Sequence, residues 1–169
     1  MRRTLLLVLV AAGGQGVALA SPARSPATVW CHAPDLALSF GPRRSAATGQ
    51  HLVGVVFRNA TRHACSLRGY PTVELAGRRG GVLPFTVVWD AGRVRRVDLR
   101  PGARAIAYVS KYRCDTTVRS VTRGLIVGSP EGGGLRRLRL TAAGVSMDFC
   151  GRGDPGSIVH VSPVAAARG

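Results

Sequence analysis

The chain reads as an all-β protein with two packed layers, and three observations predict this. Apolar runs of strand length recur at short intervals, Gly, Pro, Asn and Asp punctuate them, and no stretch sustains a helical period. The expected strands cover residues 36–40, 51–58, 65–67, 73–75, 82–89, 93–99, 104–110, 121–127, 136–140, 145–149 and 158–161.

Individual strands justify themselves by their patterning. Residues 52–57 are apolar on both faces, as a central strand covered on each side must be. In the run 135–140, Leu138 and Leu140 share one face and Arg137 and Arg139 the other, so that strand is half buried. The run 93–99 conflicts with itself: Arg93 and Arg95 fall on the face of Val97 and Leu99. An edge strand or a bulge resolves such a conflict, because sheets place charge at their edges. Breaks fall at Gly41-Pro42, Asn59-Ala60, Gly80-Gly81, Ala91-Gly92, Pro101-Gly102 and the three glycines 132–134, all turn chemistry. The fold class expected is an immunoglobulin-like antiparallel β-sandwich with two disulfides.

The N-terminus adds a compartment. Arg2 and Arg3 precede an apolar run from Leu5 to Ala12, and small residues lead to Ala18-Leu19-Ala20. This is the layout of a secretory leader cleaved after Ala20. Gly13, Gly14 and Gly16 cut the run short of the ~20 residues a bilayer span needs. Residues 1–20 are therefore the leader, 21–30 a Pro- and Ser-rich lead-in, and 31–169 one β domain. Trp30 before Cys31 argues against a lipid anchor there, since that position has to be small.

Cys31, Cys65, Cys114 and Cys150 follow the leader, and an even count in an exported chain indicates two disulfides. Four cysteines allow three pairings. Cys31–Cys65 and Cys114–Cys150 are favoured because each ties elements that the strand order places side by side, and each is worth about 3–4 kcal/mol in the chain-entropy view. Neither C-x-x-C nor H-x₃-H spacing occurs, so no metal site and no cofactor are expected.

Without residues 1–20 the chain keeps 149 residues, 22 basic and 8 acidic, for a net charge of +14. Lys111 is the only lysine; every other cation is arginine. The guanidinium fork suits phosphates and carboxylates, although a chain rich in Ala, Gly, Val, Pro and Arg also has the look of GC-rich coding. Whatever its origin, such a charge attracts anions. Candidate anion-binding residues are Arg93, Arg95 and Arg96, together with Arg136, Arg137 and Arg139. No aromatics interleave with them, which argues against reading of single strands or of nucleic-acid sequence.

No catalytic residues are assigned. A G-x-S-x-G elbow is missing, and His32, His51, His63 and His160 are scattered. Glycines 132–134 precede a basic strand rather than a helix and read as a hairpin loop, not a phosphate cradle. Asn59-Ala60-Thr61 is a glycosylation sequon, but Asn59 at a strand end reads first as an Asx turn. Arg152-Gly153-Asp154 spells the integrin tripeptide on a Gly-rich loop and reads as ordinary turn residues.

The stretch FRNATRHACSLRGYPTVEL resembles the pattern N-T-x-C-(S/T)-L-x-G-Y-P-x-V-x-L of an actinobacterial secreted family catalogued as domain of unknown function 4232. The early Cys31 with Asp35-Leu36, the Leu99-x-Pro101-Gly102 run, Cys114 and the closing Val161-Ser162-Pro163-Val164 agree in order, so the resemblance spans about residues 31–164. It implies a compact immunoglobulin-like sandwich outside the membrane, exported by an actinobacterium. Many relatives look like lipoproteins or carry long low-complexity leaders; this chain has neither, which favours a freely secreted form. The resemblance transfers no functional residue.

The reading is then a monomeric, secreted, non-enzymatic domain of the cell envelope or extracellular space, acting as a binding module. The alternative is a polyanion-binding protein whose partners are anionic envelope polymers, nucleic acid bound without sequence preference, or membrane surfaces. An envelope hydrolase ranks third.

Overall fold

The computed structural model describes residues 29–42, 46–115 and 117–167. The expected leader, residues 1–20, and most of the expected lead-in, residues 21–30, lie outside the described residues. Eleven strands follow in order: β1 (Leu36–Phe40), β2 (Gln50–Asn59), β3 (Cys65–Leu67), β4 (Thr72–Gly77), β5 (Thr86–Trp89), β6 (Val97–Leu99), β7 (Arg104–Tyr112), β8 (Thr122–Gly128), β9 (Leu135–Arg139), β10 (Ile158–Val161) and β11 (Ala165–Ala166). One helical turn, α1 (Leu140–Ala143), and 3₁₀ turns at Ala33–Asp35 and Pro155–Ser157 complete the described elements. The all-β expectation holds.

Among the described residues the strands form three sheets. The largest runs β1-β2-β7-β10-β5 with β11 also on β7, while β3-β6 and β4-β8-β9 form the others. Period-2 alternation sends Val53, Val55 and Phe57 of β2, Ala105, Ala107 and Val109 of β7, and Val159 and Val161 of β10 inward. These join Leu67, Leu75, Leu99, Leu125 and Val127 from the smaller sheets in one buried cluster. As its sequence requires, β2 is central: it lies between β1 and β7, and residues 53–57 are all buried.

Four expectations need correction. The sheets are not wholly antiparallel, for β5 pairs β10 in parallel register; no hairpin joins these two strands, so nothing local fixes their sense. The expected strand 82–89 begins only at Thr86, because Pro84 lacks the N–H a ladder needs. The conflict at 93–99 is resolved by forming no strand until Val97. Lastly, 145–149 is not a strand. Gly144, at φ 64°, closes α1, and the Asp148 carboxylate accepts the Thr122 amide at 2.9 Å where a ladder bond would otherwise form.

Both disulfides pair as expected, Cys31–Cys65 and Cys114–Cys150. The first ties the residues before β1 to β3, the second the segment after β7 to the segment before β10.

Candidate anion-binding groove

The six candidate arginines do not form one surface. Arg93, Arg95 and Arg96 are exposed on the irregular stretch before β6, and the Arg96 Nε donates to Asp98 Oδ1 at 2.9 Å. The other three lie on β9, the edge of the β4-β8-β9 sheet. There the register splits them. Arg136 stands opposite Val127, on the inward face, whereas Arg137 and Arg139 stand opposite Ile126 and Gly124, on the outer face. Arg136 lines a narrow crevice with Leu36, Leu38 and Phe57 instead.

Two arginines outside that set join Arg137 and Arg139. A hollow of about 340 Å³ is lined by Arg78, Arg123, Arg137 and Arg139, with Gly77, Gly124 and Thr141 completing it. Each arginine arrives for a local reason. Arg78 sits in the turn that Gly77 and Gly81 close by a 2.9 Å hydrogen bond. Strict alternation would turn Arg123 inward with Leu125 and Val127. The β4–β8 register slips between Ala76 and Gly77, opposite Arg123, and this bulge re-aims the side chain to solvent.

Glycine makes the floor. A Cβ on Gly124 would come within 3.3 Å of the Arg137 Cγ and Cδ atoms, so the missing side chain lets the Arg137 stem lie flat. The guanidinium then reaches the Gly80 carbonyl and donates to it at 2.7 Å. This bond orients the fork and leaves its other donors for the hollow. No carboxylate lies within ion-pair distance of the four arginines among the described residues; Glu74 shares the outer face across β8. Such an arrangement attracts and orients oxyanions.

Arg123 escaped sequence reasoning because the pattern Arg-x-Leu-x-Val placed it on the core face. Arg78 is half of a basic pair with Arg79 in the sequence, but the fold is needed to bring it beside Arg123, Arg137 and Arg139.

Other chemistry lies elsewhere. His160 Nδ1 is 3.1 Å from Asp90 Oδ1, yet the neighbouring Ser162 hydroxyl is occupied, accepting from the Tyr108 amide and donating to the Pro163 carbonyl. The Asp154 side chain of the Arg-Gly-Asp triplet is turned inward, accepting from the Gly156 amide at 2.8 Å. Lys111 falls on the inward parity of β7 and is 1% exposed. Its Nζ donates to the Tyr112 carbonyl at 2.7 Å. Burial pushes its ammonium below the ordinary value, while Asp148 and Asp154 pull it back. His51 is lowered too, by burial first and then by Lys111 and Arg113. Among the described residues no group of His, Cys, Asp and Glu is placed to hold a metal ion.

No curated protein and no solved structure matches the chain. A family model does, over residues 31–165, from the first disulfide cysteine to the last strand. On that match the chain belongs to the family described as Domain of unknown function (DUF4232).

Proposed function

We propose that this is a non-enzymatic binding module of the cell envelope or extracellular space, which engages anionic polymers through Arg78, Arg123, Arg137 and Arg139. The observation that carries this reading is the convergence of these four side chains, from two strands and a turn, on one glycine-floored hollow. Net charge supports it: the field of a strongly basic chain steers anions to such a site. The two disulfides belong to an oxidising environment, and no helix among the described residues is long and apolar enough to cross a membrane. Export past a leader ending at Ala20, an actinobacterial source, and an immunoglobulin-like arrangement of the layers complete the proposal.

Binding to duplex DNA and to a teichoic-type polymer at rising salt tests it. The affinity should fall steeply with salt, and Arg137→Gln with Arg139→Gln should reduce the log–log slope by about two, one for each phosphate no longer neutralised. Arg93→Gln with Arg95→Gln should leave most of the slope in place. Absence of binding at low salt, or equal loss from both pairs of substitutions, would refute the reading.

A further inference from the structure

A second hollow is larger than the arginine groove. It is a trough of about 910 Å³ on the outer face of the β2–β7 ladder, the side turned away from the core. Its floor is apolar: Val56 of β2 and Ile106 and Tyr108 of β7 lie along it. Gly54 stands opposite Tyr108, and a Cβ there would meet Ile106 Cδ1 at 2.9 Å, so the absent side chain lets Ile106 and Tyr108 spread across both strands. One wall is the segment 41–42, whose Gly41 would press on Ile106 and Val56 if it carried a Cβ. The other wall is β11, where Ala165 and Ala166 run beside Ile106 and Ala105. Both are exposed alanines, too small to fill the space between the walls.

One end of the trough is cationic. Arg104 lines it, and Arg58 stands directly opposite Arg104 in the ladder. Both are exposed, and neither meets a carboxylate within ion-pair distance among the described residues. Like charges facing each other across two strands are unfavourable; an anion bound between them removes that cost. Asp98 also lines the trough, but its carboxylate is engaged by the Ser66 hydroxyl at 2.6 Å and by Arg96. From Arg104 to Tyr108 the floor runs roughly 14 Å at strand rise.

An apolar channel with a cationic pair at one end matches one chemistry. We propose that this trough binds a single-chain anionic amphiphile, its acyl chain along Val56, Ile106 and Tyr108 and its carboxylate between Arg58 and Arg104. The volume lies in the range of small-molecule sites, which are mostly apolar with a few placed polar groups. The polymer-binding groove is on another sheet, and the two sites are independent.

Calorimetric titration of the whole chain with dodecanoate, below its micellar concentration, tests the proposal. Saturable binding is expected, with acetate and dodecyltrimethylammonium failing to bind. Arg58→Gln with Arg104→Gln should weaken dodecanoate about tenfold or more, by removal of the charge-assisted bonds. Ala165→Phe fills the channel and should abolish binding, and because Ala165 is exposed the variant's circular dichroism should match that of the parent chain. Arg137→Gln should have no effect. Equal binding of the cationic amphiphile, insensitivity to Ala165→Phe, or a weakening on Arg137→Gln as large as that on Arg58 and Arg104 would overturn the assignment.

Discussion

Asn59 shows how much one side chain can hold. It ends β2 fully buried, and its amide nitrogen donates to the carbonyls of His63 at 2.7 Å and Leu99 at 3.0 Å. Its oxygen accepts from the Thr61 amide at 2.9 Å and from the Thr61 hydroxyl. The Asx turn was legible from Asn-Ala-Thr at a strand end; the link to Leu99, forty residues on, was not. With every polar atom engaged and no exposure, Asn59 cannot serve as a glycan acceptor in the folded chain. Asn59→Ala leaves the buried Leu99 carbonyl without its donor and loosens the turn at Thr61 and His63, so it should destabilise by about 2 kcal/mol, read from urea midpoints. Gly102, at φ 77°, likewise meets its expectation: with Pro101 it builds the type II turn that the Ala103 amide closes on the Arg100 carbonyl.

Among the described strands longer than two residues, β5 is the one with no buried or half-buried residue. All four of its residues are exposed, with Trp89 at 67%, and it is an edge strand of its sheet. The Trp89 ring stacks on Tyr70 with centroids 5.4 Å apart, and the Tyr70 hydroxyl donates to the Asp90 carbonyl. Nothing within Thr86–Trp89 blunts the edge: no charge, no proline, no bulge. Val88→Lys supplies that charge. It should change stability by less than about 0.5 kcal/mol and lower the light scattering of concentrated solutions; unchanged scattering would show that the edge is protected in another way. Elements such as β1, β3 and β10 were legible because their apolar residues and breaks agree. The strand limits at 82–89 and 93–99 were not, since a proline and two misplaced arginines compete with a run that otherwise reads as strand. The groove was half legible for a similar reason. Alternation identified Arg137 and Arg139, while a bulge, which breaks alternation, supplies Arg123.

At the scale of the whole molecule, stability should follow pH through two groups near the Cys114–Cys150 disulfide. His51 and Lys111 are both held below their ordinary values of 6.5 and 10.5. The unfolded chain therefore binds more protons than the folded one in the window below each ordinary value, so stability rises with pH there. Acidification through the His51 window should weaken the fold, and alkalinisation toward 10.5 should strengthen it. Urea midpoints across these windows should flatten on the acid side in His51→Gln and on the alkaline side in Lys111→Met. Asp98, held low chiefly by the Ser66 hydroxyl and then by Arg96, acts separately below 3.8, where its contribution is lost on further acidification. The burial of Lys111 has a practical side as well. It is the only lysine in the sequence and is 1% exposed, so an amine-reactive dye reaches its Nζ only when the core has opened, and modification at Lys111 reports that opening.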